Sequence, residues 1–145
     1  MNNNYLITIA GKHTADGHVN DVSLSTFGRY HRFGERHYIR YVETEATGFA
    51  GDVTTFILEG ESRAILQRKG KTNSRLIIEK DQKHVCHYET GAGDLAVGIL
   101  GDVIDNQLDR RGGSVSLRYR LDVNATLLSV NEIHITVKEH TECTT

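Results

Sequence analysis

The chain has no proline and only two cysteines among its 145 residues. It also lacks any apolar run near the roughly 20 residues that a membrane-spanning helix requires. Without proline, no residue lacking an N–H interrupts its extended runs. Without a long apolar run, a membrane is not an expected partner. Charge of one sign is missing too: 17 basic residues are scattered among 19 acidic ones, for a net charge of −2 and a pI near 6.4. Nucleic acid is therefore not expected as a partner either. The densest basic stretch, Arg63 to Lys71 with Arg63, Arg68, Lys69 and Lys71, reads as a solvated face. The polar opening Met1-Asn2-Asn3-Asn4 carries no secretory pattern, so the expected location is cytoplasmic. In that reducing setting Cys86 and Cys143 are expected as unbridged thiols.

What is present is strand-like alternation. The length fits one domain over residues 1–145, with 139–145 as a polar, loose tail. Tyr38 to Leu58 reads as two strands rich in β-branched and aromatic residues, joined at Gly48-Phe49-Ala50-Gly51. Alternate residues share a face, so Tyr41, Glu43 and Glu45 point one way and Arg40, Val42 and Thr44 the other. Neither face is purely apolar, which implies a polar interior.

Further runs follow the same logic. Ala15-Asp16-Gly17 is a hairpin turn, and Val22, Leu24 and Thr26 share a face before a bulge expected near Phe27 and Gly28. Phe33 to Arg36, Glu59 to Ser62, Gly70 to Ser74 and Asp81 to Lys83 read as turns. Asp94 to Leu108 fits helical or strand spacing, and Gly98 and Gly101 decide for strand, since each costs a helix about 1 kcal/mol. Val115, Leu117, Tyr119, Leu121 and Val123 alternate with Ser116, Arg118, Arg120 and Asp122, predicting the first set inward. In Leu127 to Lys138 the apolar phase changes, predicting a bulge at Asn131.

About ten such runs at hairpin spacing predict an all-β, up-and-down antiparallel β-barrel of about 8 to 10 strands, because closure removes exposed edges. A two-sheet sandwich suits polar residues on both faces less well. Tyr41-Val42-Glu43-Thr44 with Gly48, Thr54-Thr55, Arg68-Lys69-Gly70, Ser74, Tyr88-Glu89-Thr90 with Gly93, and Tyr119 together resemble the YwiB-like proteins. These are small bacterial proteins of unknown function. The resemblance runs from Tyr5 to Glu139 and implies a calycin-like (lipocalin-like) barrel, but it brings no catalytic residues with it. The chain departs from that pattern in Gly91-Ala92-Gly93, where the family has a proline, and in several additional histidines.

Glu43 and Glu45 could form an acid–base pair, but two carboxylates two apart are common in strands. His84 and Cys86 share a face and begin a soft metal site only if Cys143 and His140 complete it. His13, His18, His37 and His134 read as surface residues. Gly91-Ala92-Gly93 lacks the following helix that phosphate binding needs. No cofactor, metal or catalytic set is expected, and the protein is expected not to be an enzyme. The residues that stand out are Tyr41, Glu43, Arg68, Tyr88 and Tyr119, polar groups on otherwise apolar alternations in separate strands. They are expected in the lumen, with Arg68 paired to Glu43. The expected function is binding of a small, partly apolar or anionic ligand. The alternative is a filled structural barrel whose outer face or edge meets a protein partner or a second copy as a homodimer.

Overall fold

The computed structural model describes residues 5–44, 50–71, 73–90 and 93–140, without the side chains of 88–90 and 94. Among the described residues there are ten strands and no helix: β1 Tyr5–Ala15, β2 His18–Phe33, β3 Arg36–Val42, β4 Val53–Glu59, β5 Arg63–Lys69, β6 Ser74–Glu79, β7 Lys83–Thr90, β8 Gly93–Asp109, β9 Gly112–Val123 and β10 Thr126–Glu139. Each pairs antiparallel with its sequence neighbour except at one seam, and β1 pairs with β10, giving the order β6-β5-β4-β3-β2-β1-β10-β9-β8-β7. Period-two alternation drives this arrangement, since each strand offers one apolar face. The turns carry the residues their geometry requires: Asp16 and Gly17 both have positive φ, as a two-residue hairpin needs.

The two free edges, β6 and β7, are consecutive in sequence and do not form a ladder with each other. The seam closes instead where β6 runs onto β8, through a parallel bridge between Lys80 and Gly101 and an Asp81 N–H donating to the Gly101 carbonyl at 2.9 Å. A Cβ at Gly101 would lie 2.6 Å from the Glu79 carbonyl oxygen, so only glycine lets the strands meet. The result is a nearly closed ten-stranded barrel.

Its interior is filled by Ile7, Ile39, Leu58, Ile78, Ile99, Val115 and Ile135, all essentially without exposure. On β9, Val115, Leu117 and Tyr119 are buried and Arg118 and Arg120 exposed, the phase that alternation predicts. Leu121 is half-buried and packs against the core.

Three expectations are corrected. The strand does not bulge at Gly28: β2 keeps even residues inward from Leu24 through Tyr30, and Phe27 lies outside against His140. Gly28 is an inward position kept bare because a Cβ would lie 2.3 Å from the Arg40 carbonyl and 2.5 Å from Ile7 Cδ1. Asn131 is not a bulge either. The register of β10 shifts between Leu127 and Ser129, after which odd residues face inward and Asn131 is buried among them. His37 is not a surface residue but is buried, and its Nδ1 lies 2.7 Å from the Tyr30 hydroxyl. β8 is one continuous strand with a shift between Gly101 and Val103.

Gly48, Glu45, residues 91–92, Cys143 and the tail beyond His140 lie outside the described residues. The Cys86 thiol is free and half-buried against the core.

Candidate functional site

In an up-and-down barrel every odd-numbered strand finishes at the same end. The C-terminal residues of β3 and β5, the N-terminal residues of β4 and the later residues of β9 are therefore brought together there. Tyr41 on β3 is inward and buried, and two residues on, Glu43 is buried just past the strand. The chain is held at that point by the Glu43 N–H donating to the Asp52 carbonyl at 2.7 Å and the Gly51 N–H donating to the Glu43 carbonyl at 3.1 Å. Tyr41 pairs with Thr54 on β4, and Thr54 with Arg68 on β5. Cross-strand partners present their side chains to the same face, so all three meet in the interior.

Arg68 Nη2 stands 3.9 Å from Glu43 Oε2, with the carboxylate side chain 2% exposed and the arginine side chain 22% exposed. The expected pairing is present, and its two members differ: the carboxylate is fully enclosed while the arginine side chain keeps partial exposure. Burial pushes the Tyr41 hydroxyl well above the usual phenol range, reinforced by the charge of Glu43 and a hydrogen bond to it and opposed by Arg68 and Thr54. Tyr119 is raised as well, mainly by burial, and here too the nearby Arg68 charge opposes the shift. Arg68 is thus felt on both walls, by Tyr41 of β3 and by Tyr119 of β9. Of the five residues singled out, Tyr41, Glu43, Arg68 and Tyr119 share this interior. Tyr88 falls on β7, and its side chain lies outside the described residues.

Arg68 also lines a recess of about 500 Å³ with Gln67, Lys69, Asn73, Ser74 and Arg75. These described lining residues carry three cations and no carboxylate. Asp52, buried beside the recess, shapes its rim by accepting from the Lys71 N–H at 2.9 Å. A Cβ at Gly70 would lie 2.1 Å from Asp52 Oδ1, and Gly70 has a φ of +154°, so the connection passes this carboxylate only as glycine.

Inward polar residues that hydropathy missed continue the site. Asn131 pairs with Tyr119 on one side and His13 on the other. His13 Nδ1 lies 2.6 Å from Asn131 Oδ1, and Asn131 Nδ2 donates to Ser129 Oγ at 3.0 Å. The available signal was parity, since Asn131 and Ser129 share the face of Ile133 and Ile135. The other end of the barrel is closed differently. There the Tyr30 hydroxyl donates to the Asp109 carbonyl and meets His37. Burial pushes the Tyr30 phenol up to about 12.

The remaining candidates separate. His84 Nε2 lies 2.9 Å from Glu79 Oε1, and no group of three or more metal-ligating side chains gathers among the described residues. Arg63 pairs with Glu59, and Lys69 and Lys71 are exposed.

A family model described as a domain of unknown function, DUF1934, matches residues 7–135. The crystal structure of the ywiB protein from Bacillus subtilis is similar, with a TM-score of 0.77 at 20% sequence identity, covering 94% of this chain and 92% of that one. No curated protein matches the chain.

Proposed function

Because the chain belongs to the DUF1934 family, whose description names no activity, we propose its function from the barrel itself: it is a binding module for a small, partly apolar or anionic molecule held at the Arg68 end. The observation that supports this is the double engagement of Arg68, fixed inside by the buried Glu43 and lining a recess with Lys69 and Arg75. A guanidinium held in place presents a planar donor fork to a carboxylate or phosphate with little left to order on binding. Leu66 and Leu76, half-buried cross-strand partners on the same two strands, pack against the core and do not line the recess, so an apolar part of the ligand would meet them only by reaching inward past Arg68. The lumen then serves as it does in calycin-like carriers, in a cytoplasmic setting. The module is read as a binder and not an enzyme, because Glu43 is engaged by a cation and a phenol in a holding arrangement.

The density of the interior around Ile39, Leu58 and Ile78 favours a second reading, a filled barrel in which Arg68 only locks Glu43. Native mass spectrometry of the protein purified from its own host, followed by thermal-shift titration with mono- and dicarboxylates and inorganic phosphate, separates the two. The binding module is expected to carry a co-purified anion or to gain stability from one of these probes. Arg68→Lys keeps a charge opposite Glu43 but loses the fork, so it should weaken that response roughly tenfold while leaving the fold intact. No bound molecule and no response to any of the anions would leave the filled barrel.

A further inference from the structure

The outer face of β9, β10, β1 and β2 carries a row of charges that alternates in sign. Arg118 pairs with Glu132, Glu132 with Lys12 and Lys12 with Asp21, directly across four neighbouring strands. All four side chains are exposed on this face, since their neighbours Leu117, Tyr119 and Asn131 point inward. Among the described residues, a long contact of 3.9 Å between Arg118 and Glu132 is the only ion pair in this row. The face is slightly hollow, with a depression of about 410 Å³ floored by Ala10 and Gly11 and walled by Lys12, Arg118, Glu132 and His134.

From this pattern we propose that the face docks a second copy of the chain, about a two-fold axis running parallel to the strands between β10 and β1. That operation reverses the order of strands and keeps the level along them, as an isologous interface requires. The row +, −, +, − then faces its own reverse. Arg118 meets the second copy's Asp21, Glu132 meets its Lys12, and every opposed pair is opposite in sign. The next row agrees by size. Ser116, His134, Ala10 and Ser23 are consecutive cross-strand partners. Reversal sets His134, the tallest of them, over the second copy's Ala10 in the floor of the depression, and Ser116 over Ser23. Beyond it Ser114, Thr136, Thr8 and Ser25, again consecutive partners, are all short and uncharged, so the two sheets can approach closely. Four strands by three such rows cover roughly 400 Å² on each copy from strand spacings alone, in the range of weak, transient interfaces. The dimer is therefore concentration-dependent, and its charge pairs make it sensitive to salt.

Sedimentation velocity over a concentration series at low salt tests this on the whole chain. The wild type is expected to pass from monomer to dimer and to return to monomer in about 1 M salt, where the Debye length falls to about 3 Å. Glu132→Lys and Lys12→Glu each place two like-charged pairs in a homodimer. Each alone should stay monomeric at concentrations where the wild type associates, while keeping its fold with a small fall in thermal midpoint from the like charges it sets across neighbouring strands. Mixed together they restore opposite signs at all four pairs, so the mixture should dimerise as a heterodimer. A wild type that is monomeric at every concentration overturns the proposal. So does a mixture that associates no more than either variant alone.

Discussion

On the inner face of the barrel Glu43 and Arg68 stand 3.9 Å apart, with the carboxylate almost without exposure. On the outer face Arg120 and Asp102 make two contacts, at 2.8 and 3.0 Å, with the arginine side chain 45% exposed. By distance the outer pair is the stronger. By environment the order reverses, because the enclosed carboxylate has given up its water and depends on its neighbours, whereas the outer charges lose little when separated. The pairs lie on different strands of one barrel, Arg68 on β5 with Glu43 just past β3 and Arg120 on β9 with Asp102 on β8, so the contrast sets burial against distance.

The largest expected effect comes from stranding the inner carboxylate. Arg68→Met keeps an unbranched apolar stem and removes the guanidinium, and should cost about 3 to 5 kcal/mol, the usual cost of breaking a buried pair. Urea unfolding of the variant measures it. A loss below about 1 kcal/mol would place Glu43 in effective contact with water and erase the contrast between the two faces.

Next in size is the apolar part of the inner face. Leu117, 2% exposed, lies in the middle of β9. Leu117→Ala should cost about 2 to 5 kcal/mol through lost burial and a residual cavity. Arg118→Ala, one residue away on the other face, should change stability by no more than about 0.5 kcal/mol. Equal effects at 117 and 118 would mean that the strand does not separate inside from outside.

His37 gives a smaller effect with a definite sign. Burial lowers its pKa below the ordinary 6.5, assisted by Arg32 and opposed by Asp109, and the Tyr30 hydroxyl is its hydrogen-bond partner. The unfolded chain therefore binds more protons than the folded one as pH falls below about 6.5, and stability rises with pH in that range. The contribution is complete above the unfolded pKa and declines as the pH drops through it toward the lower folded value. Unfolding free energies between pH 7.5 and 5.5 should fall with acid in the wild type and fall less in His37→Gln. An identical slope in the two would show that His37 is not the group responsible.

These contrasts mark what the sequence could disclose. Strand existence, the turn positions and the inward phase of Tyr41, Glu43, Arg68 and Leu117 follow from period-two alternation and from residues such as Asp16-Gly17, all local signals. The misread positions are those whose partners are distant. Asn131 breaks an apolar alternation only if its partner His13, 118 residues away, is unknown. His37 reads as surface until Tyr30 and Asp109 are seen to enclose it. Gly28 reads as a bend because hydropathy cannot distinguish an inward position kept empty for Ile7 and the Arg40 carbonyl from a break in the strand. The seam at Gly101 has the same origin. Alternation predicts closure, but the bridge to Lys80 depends on how the edge strands meet in space.

The smallest expected effect belongs to the best-formed outer pair. Arg120 holds Asp102 through two nitrogens, Nε at 3.0 Å and Nη2 at 2.8 Å, a forked geometry that makes it the strongest candidate among the exposed bridges to matter. Both side chains nevertheless remain open to water. Arg120→Gln leaves a side chain able to hydrogen-bond, so little is lost but Coulomb attraction in a high-dielectric setting. A cost of about 0.2 to 1 kcal/mol follows, most of it removed by salt. Measuring Arg120→Gln beside Arg68→Met at low and high salt sharpens the comparison, because the inner pair is shielded from ions and its cost should persist. If Arg120→Gln instead cost as much as Arg68→Met, contact distance would outrank burial in this barrel, and the weight placed on the Glu43 enclosure would have to move to the outer face.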